Sequence, residues 1–374
     1  PLSATVNRSS AGTGNMYPYH RCNQQQSVFL GGVMDNVWRP EPVNSNVDKG
    51  MTPEPFLDWS NVWPGATAYE KDGRGWVSEG PEGVRLSVQP GEQSGPVLVD
   101  DNPNEGANLG WANVLYDEGR YKVWYAAKNS GGEKVLHFAE SSDGFKWEKP
   151  NLGLYESNGS RANNIVYPGA IEGVVFKDQG AGEEEKYKLI DRIGYSEYQG
   201  KIIRKAELEQ TIQELKKQGL ELGEIFGKHI KLKGQVFGAV SPDGLRWTQI
   251  KEPLFEKFCD TQNVVFFDQE RNKYVGYWRT SSGSRRAIAR SETDDFRHWP
   301  LPDLVLAPGL QDPPTDDYYT NAYTRYPGNP DIHLMFPGIY HRTKDTVDVQ
   351  LAVSRDGFNW DWPERVPIIP LGPE

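Results

Sequence analysis

SSDGFKW at 141–147, SPDGLRW at 241–247 and SRDGFNW at 354–360 are three ungapped copies of one pattern, Ser-x-Asp-Gly-x-x-Trp. A degenerate fourth copy, DDFRHW at 294–299, fills the long interval between the second and the third. A pattern that returns at a coarse period marks a chain built from repeated structural units. The pattern itself is turn chemistry. Asp caps backbone N–H groups, Gly supplies a positive φ, and Trp offers a flat apolar face to bury between neighbouring units. Asp143, Asp243 and Asp356 are therefore read as structural, not catalytic.

Working outward, an aromatic β-rich segment precedes each copy: 111–125 (WANVLYDEGRYKVWY), 173–190, 263–278 (NVVFFDQERNKYVGYW) and 321–337. Each reads as two strands around a polar turn. A third strand, at 135–140, 235–240, 287–291 and 349–354, leads into the motif, and a short fourth starts near the Trp. Four antiparallel strands per repeat, arranged radially, make a propeller blade, so the expected fold is all-β, a five-bladed β-propeller. Residues 1–26 are expected as an N-terminal extension and 27–374 as one propeller domain. Strand-like pieces at 27–31, 33–38 and 83–88 lie before the first repeat, and the chain stops fourteen residues past Trp360. Closure of the ring is thus expected from residues before 100, or from chain outside this sequence.

One stretch breaks the β pattern. In 205–226, Leu208, Ile212, Leu215, Leu220 and Ile225 recur at helical spacing among Glu, Gln and Lys. The spacing predicts a helical insertion over about 203–229 in the second repeat, interrupted near Gly219 and Gly223. Such an excursion either packs on the blade rim, walls a cleft or mediates assembly.

The net charge of −11 disfavours nucleic acid or an anionic membrane as partner. No apolar run approaches the ~20 residues that span a bilayer. Position 1 is Pro, so the chain is expected to be processed or trimmed, and the polar start has no signal-peptide core. Cys22 and Cys259 are either a disulfide stapling the N-terminal segment to the third repeat or two separate thiols. The 12 Trp, 18 Tyr and 14 Phe exceed what packing asks for and suit a site that stacks on sugar rings.

With the repeat laid out, the chain resembles the five-bladed β-propeller glycoside hydrolases, the invertase/levanase and arabinanase/β-xylosidase families among them. The matching features are the SxDGxxW turns, the Tyr-rich second strands at 122–125 and 273–278, and DDFRHW at 294–299. Val28-Phe29-Leu30, Asn36-Val37-Trp38-Arg39 and Asp260-Thr261-Gln262-Asn263 are similar to a group of bacterial propeller proteins described as glycosidase-like. The resemblance covers about 28–374. It implies a secreted or periplasmic hydrolase of a plant or algal poly- or oligosaccharide. The chain lacks the Trp-x-Asn-Asp-Pro-Asn-Gly and Arg-Asp-Pro segments of the invertase type, so no catalytic residue carries over by motif.

Candidate residues follow from position in the blade. Glycoside hydrolysis generally needs two carboxyl groups flanking the scissile bond. In the resembled families these acids stand at or just before the innermost strands, which here are expected to begin near Trp111, Gly173, Asn263 and Asn321. The acids ahead of them are Glu105, Glu172, Asp260 and the pair Asp316 and Asp317. Glu172, between Ile171 and Gly173, is placed where burial would favour the neutral form a general acid needs. Asp260 is followed by the amides of Gln262 and Asn263, and the Asp316–Asp317 pair by Tyr318 and Tyr319. Substrate contacts are expected from Trp111, Arg192, Asn263, Arg279, Tyr319, His341 and Arg342, with Arg285 and Arg286 as further cations. Converging arginines would make an anion site for a uronate, a sulfated sugar or phosphate. A glycoside phosphorylase is therefore the closest rival, and a propeller that only binds carbohydrate is the third reading. No HExxH, Cys/His cluster or Asp-x-Asp-x-Asp loop signals a metal. No cofactor is expected; calcium occurs on the axis of related folds, but no residues here can be assigned to it.

Overall fold

The computed structural model describes residues 2–3, 29–30, 55, 57, 67–69, 75–77, 85–99, 101, 106–128, 134–169, 172–203 and 205–371. The chain forms two compact units, 96–322 and 1–95 with 323–374. Glu105, Cys22 and the strand expected at 33–38 lie outside the described residues.

The larger unit is a series of antiparallel meanders. Gly106–Asp117, Arg120–Lys128, Lys134–Ser141 and Ile165–Pro168 form the first sheet in that spatial order. Val174–Lys177, Tyr187–Tyr198 and Ile230–Ser241 form the second, with Thr248–Gln249 and Phe255–Glu256 on its outer edge. Val264–Asp268, Lys273–Ser282, Arg285–Thr293 and Asp303–Leu306 form the third. The first strands lie side by side, Val174–Lys177 next to both Gly106–Asp117 and Val264–Asp268. The expected innermost strand at 321 begins earlier, as Asp316–Thr320, because the aromatic run starts directly after the proline-rich loop.

Apolar positions spaced two apart point each sheet's faces at its neighbours. Between the first and second sheets, Trp124, Leu136, Phe138 and Val166 pack with Val175, Tyr187, Leu189 and Ala239. Between the second and third, Val174, Phe176, Ile190 and Val236 pack with Val265, Trp278, Phe296 and Trp299. Each large side chain buried here contributes about 2–3 kcal/mol of apolar transfer energy.

A polar clasp reinforces each seam. Tyr187, on the second sheet, donates its phenol O–H to Asp117 at the end of the first sheet's first strand. Tyr274, on the third sheet, donates to Asp178, just past the second sheet's first strand, at 2.6 Å. Lys122 and Lys177 also pair with Asp117, and the buried Lys188 with Asp178. Burial opposes ionisation of Asp117, but the hydrogen bonds from Lys122, Lys177 and Tyr187 outweigh it and take its pKa down to about 2. Burial, helped by Asp117, pushes Tyr187 up to about 12.

The Ser-x-Asp-Gly turns repeat bond for bond. Ser141 Oγ accepts the Gly144 N–H, and Asp143 Oδ1 accepts those of Phe145 and Lys146. The copies at Asp243 and Asp356 do the same, with Gly144, Gly244 and Gly357 at φ 80, 75 and 73. In the degenerate copy Thr293 takes the place of Ser, and Asp295 caps the Arg297 N–H. Phe296 stands where the others have Gly and fills the seam between the second and third sheets.

The second sheet's middle strands outrun the sheet and carry the α-helix Lys205–Lys217. A Schellman motif ends that helix: Gly219, at φ 89, donates its N–H to Lys216 O, and Leu220 donates to Leu215 O. No helix among the described residues is long and apolar enough to cross a membrane.

In the smaller unit, Thr324–Tyr326, Asn329–Met335 and Ala352–Ser354 form one sheet. Gly338–His341 pairs with Thr346–Gln350, which pairs with Pro367–Ile369. Leu57 and Val88 join Ile332, Leu334, Leu351, Val353 and Ile368 in its core. Residues 85–91 are irregular, not the strand expected at 83–88. They are anchored by the Val88 N–H to Glu364 and the Gly91 N–H to Ile368 O. Phe29–Leu30 pairs with Leu2–Ser3.

Gly244 is where the turn is least replaceable. Its carbonyl accepts the Trp124 indole N–H at 2.8 Å, and an added Cβ would stand 2.8 Å from that ring. Gly244→Ala is expected to cost about 2–4 kcal/mol in urea denaturation, combining left-handed strain with the clash. Gly159→Ala, at φ 73 in open space, should cost only about 1–2 kcal/mol.

Asp117 should also set part of the acid response. Its folded pKa lies below its unfolded value, so its contribution is complete above about pH 4 and is lost as pH falls towards 2. Asp117→Asn should flatten that part of the stability–pH curve, measured by thermal melts from pH 2 to 7. An unchanged acid limb would remove Asp117 from it.

Candidate active site

One local device is built twice. In the second sheet, Val174 opens the first strand and pairs with Ile190; Arg192 stands two positions beyond. In the third, Val264 opens the first strand and pairs with Tyr277; Arg279 again stands two positions beyond. At both places an acid waits ahead of the first strand. Arg192 holds Glu172 in a fork, Nε to one carboxylate oxygen and Nη2 to the other, each at 2.7 Å. Arg279 contacts the Asp260 carboxylate and donates to the Asp260 carbonyl at 2.9 Å. Period-two alternation explains the spacing: a side chain two past the last paired residue stays on the same face, at the level of the loop that feeds the first strand.

A third pair joins them. Arg286 donates its backbone N–H to Asp317 at 2.9 Å and its Nη1 to the other carboxylate oxygen at 2.5 Å. The same guanidinium faces the Tyr319 ring at 5.0 Å. Asp316 is buried, and Arg285 grips its carbonyl and that of Pro313.

The Arg279 and Arg286 pairs act on each other, and Tyr319 and Cys259 also feel the charge of Arg192. Burial and the nearby Arg286 charge pull Arg279 down to about 10, with Tyr319, Asp317 and Cys259 acting in the opposite sense. The Glu172 hydrogen bond raises Arg192 above the ordinary arginine range, and Tyr319 contributes. Cys259 is a free, buried thiol whose pKa burial pushes up to about 12, against the charges of Arg279 and Arg192. Tyr319 and Cys259 are thus coupled by charge to arginines of both the second and the third sheet.

Backbone strain gathers in the same loops. Trp111, Thr261 and Ala322 have φ values of 49, 142 and 40. Non-glycine residues in such conformations cost about 1–3 kcal/mol each and persist where the surroundings impose them. Trp111 lies in the register break between Gly110 and Asn113, and its carbonyl accepts the Gln262 amide at 3.1 Å. That bond ties the first sheet to the third beside Asp260.

Several expectations need revision. Asn263 is buried and its amide is committed to the backbone: Oδ1 accepts the Arg279 N–H, and Nδ2 donates to Cys259 O and Thr261 O. It positions the Asp260 loop and Arg279 and has no group left to offer a sugar. The sequence neighbours of Glu172 implied a desolvated carboxyl, whereas the structure sets a guanidinium against it. The arginines do not form an open anion site, because Arg192, Arg279 and Arg286 are each tied to a carboxylate. His341 and Arg342 belong to the smaller unit, where His341 Nε2 meets Asp348 at 2.9 Å. Trp111 and Tyr319 are partly exposed. Among the described residues, no group of three or more His, Cys, Asp or Glu could hold a metal ion. The pairing of Asp317 with Arg286 and the place of Cys259 were not read from sequence. The Arg285-Arg286 doublet ahead of the third strand was the available signal for the former.

Neither a protein-family model nor a curated protein sequence matches the chain. Solved structures similar to it include several glycoside hydrolases. A thermostable family-43 glycoside hydrolase is 16% identical, with a TM-score of 0.40, over 71% of this chain and 75% of that one. The catalytic domain of a Coprinopsis cinerea GH62 α-L-arabinofuranosidase is 12% identical, with a TM-score of 0.42, over 74% and 75%. A family 117 glycoside hydrolase from the marine bacterium Zobellia galactanivorans is 12% identical, with a TM-score of 0.41, over 73% and 74%.

The Glu172–Arg192 pair should show in a double-mutant cycle. Their side chains are 8% and 22% exposed, so removing either partner strands a charge away from bulk water. Glu172→Gln and Arg192→Met are each expected to cost about 2 kcal/mol, with a coupling of about 1–3 kcal/mol. Additive costs would mean that the fork holds nothing in place.

Proposed function

We propose that the chain is a glycoside hydrolase acting on a poly- or oligosaccharide, with the sheets as blades of a five-bladed propeller and the acids at its axis. The observation that carries this reading is the repeated acid–arginine pair at one end of two neighbouring sheets, joined by a third pair around Tyr319. Exposure separates the roles. The Asp260 side chain is 32% exposed, Glu172 8%, and Asp317 fully buried. Asp260 is the carboxylate that meets the sugar. An arginine-paired carboxylate suits the base or nucleophile. Glu172 is the proton donor of this reading; because both its oxygens accept from Arg192, it must first take up a proton from solvent as that guanidinium turns aside, and only then can it pass the proton to the leaving group. Asp317 positions Arg286, whose face against Tyr319 sets the floor for a sugar ring.

Hydrolysis is favoured over phosphorolysis by charge. Three arginines face three carboxylates, so a phosphate entering among them meets as many negative as positive groups. Sugar release from a glycan panel should proceed equally with and without inorganic phosphate. Asp260→Asn should lower kcat by at least about 10³-fold in a protein that still folds, with its melting temperature lowered because the change leaves the Arg279 charge unpaired. Sugar phosphate among the products would make the enzyme a phosphorylase, and full activity of Asp260→Asn would remove Asp260 from the chemistry.

A further inference from the structure

The long hairpin of the second sheet has work that the sheet does not require. Tyr187–Tyr198 and Ile230–Ser241 pair along their whole length. The first strand covers only Tyr187–Ile190, and the outer edge strands cover the partner no further than Gln235. Past Arg192 the two strands therefore continue for about 20 Å, six residues at ~3.3 Å each, as a ribbon that Lys201–Ile203 joins at its far end by pairing with Ser196–Tyr198. First and second strands are antiparallel, so the ribbon leaves the sheet at the end where the first strand starts. That is the end where Glu172 meets Arg192.

The ribbon is also stiffened. Leu208, Ile212, Leu215 and Ile225 of the helical insertion pack onto Tyr198 and Ile230, which face each other at the ribbon's far end. Tyr198, Ser196 and Arg192 alternate along one strand and so share one face. The insertion thus lies on the face of the ribbon that presents Arg192 to Glu172. A private apolar core on that face makes a rigid overhang and not a loose loop.

We infer that this helix-bearing ribbon walls the candidate site on the side of the second sheet and limits it to the ends of glycan chains. The inference rests on the hydrolase reading above and adds its mode of attack. A chain threading past Asp260 through the plane of the ribbon would meet the insertion, whereas a terminal residue can enter beneath it.

Two proteins test this. In one, residues 197–231 are replaced by Asn-Gly, a two-residue hairpin turn joining Ser196 to Leu232. In the other, the full chain carries Leu215→Asp and Ile225→Asp, which dissolve the insertion's core at the ribbon's far end and leave the residues around Arg192 and Glu172 unchanged. Each is assayed on a dye-cross-linked polysaccharide, which releases colour only by internal cleavage, and on the matching aryl monoglycoside, which reports terminal cleavage and an intact site. The wild-type protein should act on the aryl glycoside and release little dye. Both variants should raise the dye-to-aryl ratio at least about tenfold, with the aryl rate within about threefold of wild type. Efficient dye release by the wild-type protein, or an unchanged ratio in both variants, overturns the wall. If the wild-type protein cleaves neither kind of substrate across the panel, the hydrolase reading falls and the inference falls with it.

Discussion

A buried aspartate that receives a phenol from the next sheet is the constraint on which the larger unit depends. Asp117 takes the hydroxyl of Tyr187, and Asp178 takes that of Tyr274. Apolar packing alone would let two sheets slide, since dispersion has no preferred register. A charged acceptor at one end of each seam does not allow that, because a slipped partner leaves a buried carboxylate unsatisfied. Lys122, Lys177 and Lys188 meet the charges, so the clasps cost little in uncompensated burial.

The clasps occupy the ends of the first strands, and the candidate acids stand at the beginnings. Packing certainty and chemical exposure are thereby held at opposite ends of the same strands. At the acid end each carboxylate is offset by one guanidinium, and backbone strain at Trp111 and Thr261 is held by the Gln262 bridge and by the Asn263 amide. Buried amide bonds and ion pairs, not apolar contacts, fix the geometry there.

Much of this was legible because turn chemistry is local. Ser141, Asp143 and Gly144 satisfy one another within four residues, so their pattern survives in the sequence and locates every third strand. The helix at 205–217 was equally local, carried by its apolar spacing. Partners brought together from different strands were not legible. Nothing near Glu172 in sequence announces Arg192, and Asp317 lies 31 positions from Arg286, with the strand Asp303–Leu306 between them. Position beside a strand start named Glu172, Asp260 and Asp317 as candidates, but could not foresee that each is paired with an arginine. Asn263 looked like a ligand-binding amide because its backbone partners, Cys259 and Arg279, become neighbours only on folding.

The central claim is that Asp260, Glu172 and the Tyr319 floor form one sugar-binding centre. A crystal structure of the Asp260→Asn protein with an oligosaccharide bound tests it most directly. A terminal sugar ring should lie against Tyr319, within hydrogen-bonding reach of residue 260 and of the Glu172–Arg192 pair. A sugar bound elsewhere, with the three acid–arginine pairs closed on themselves, would contradict it.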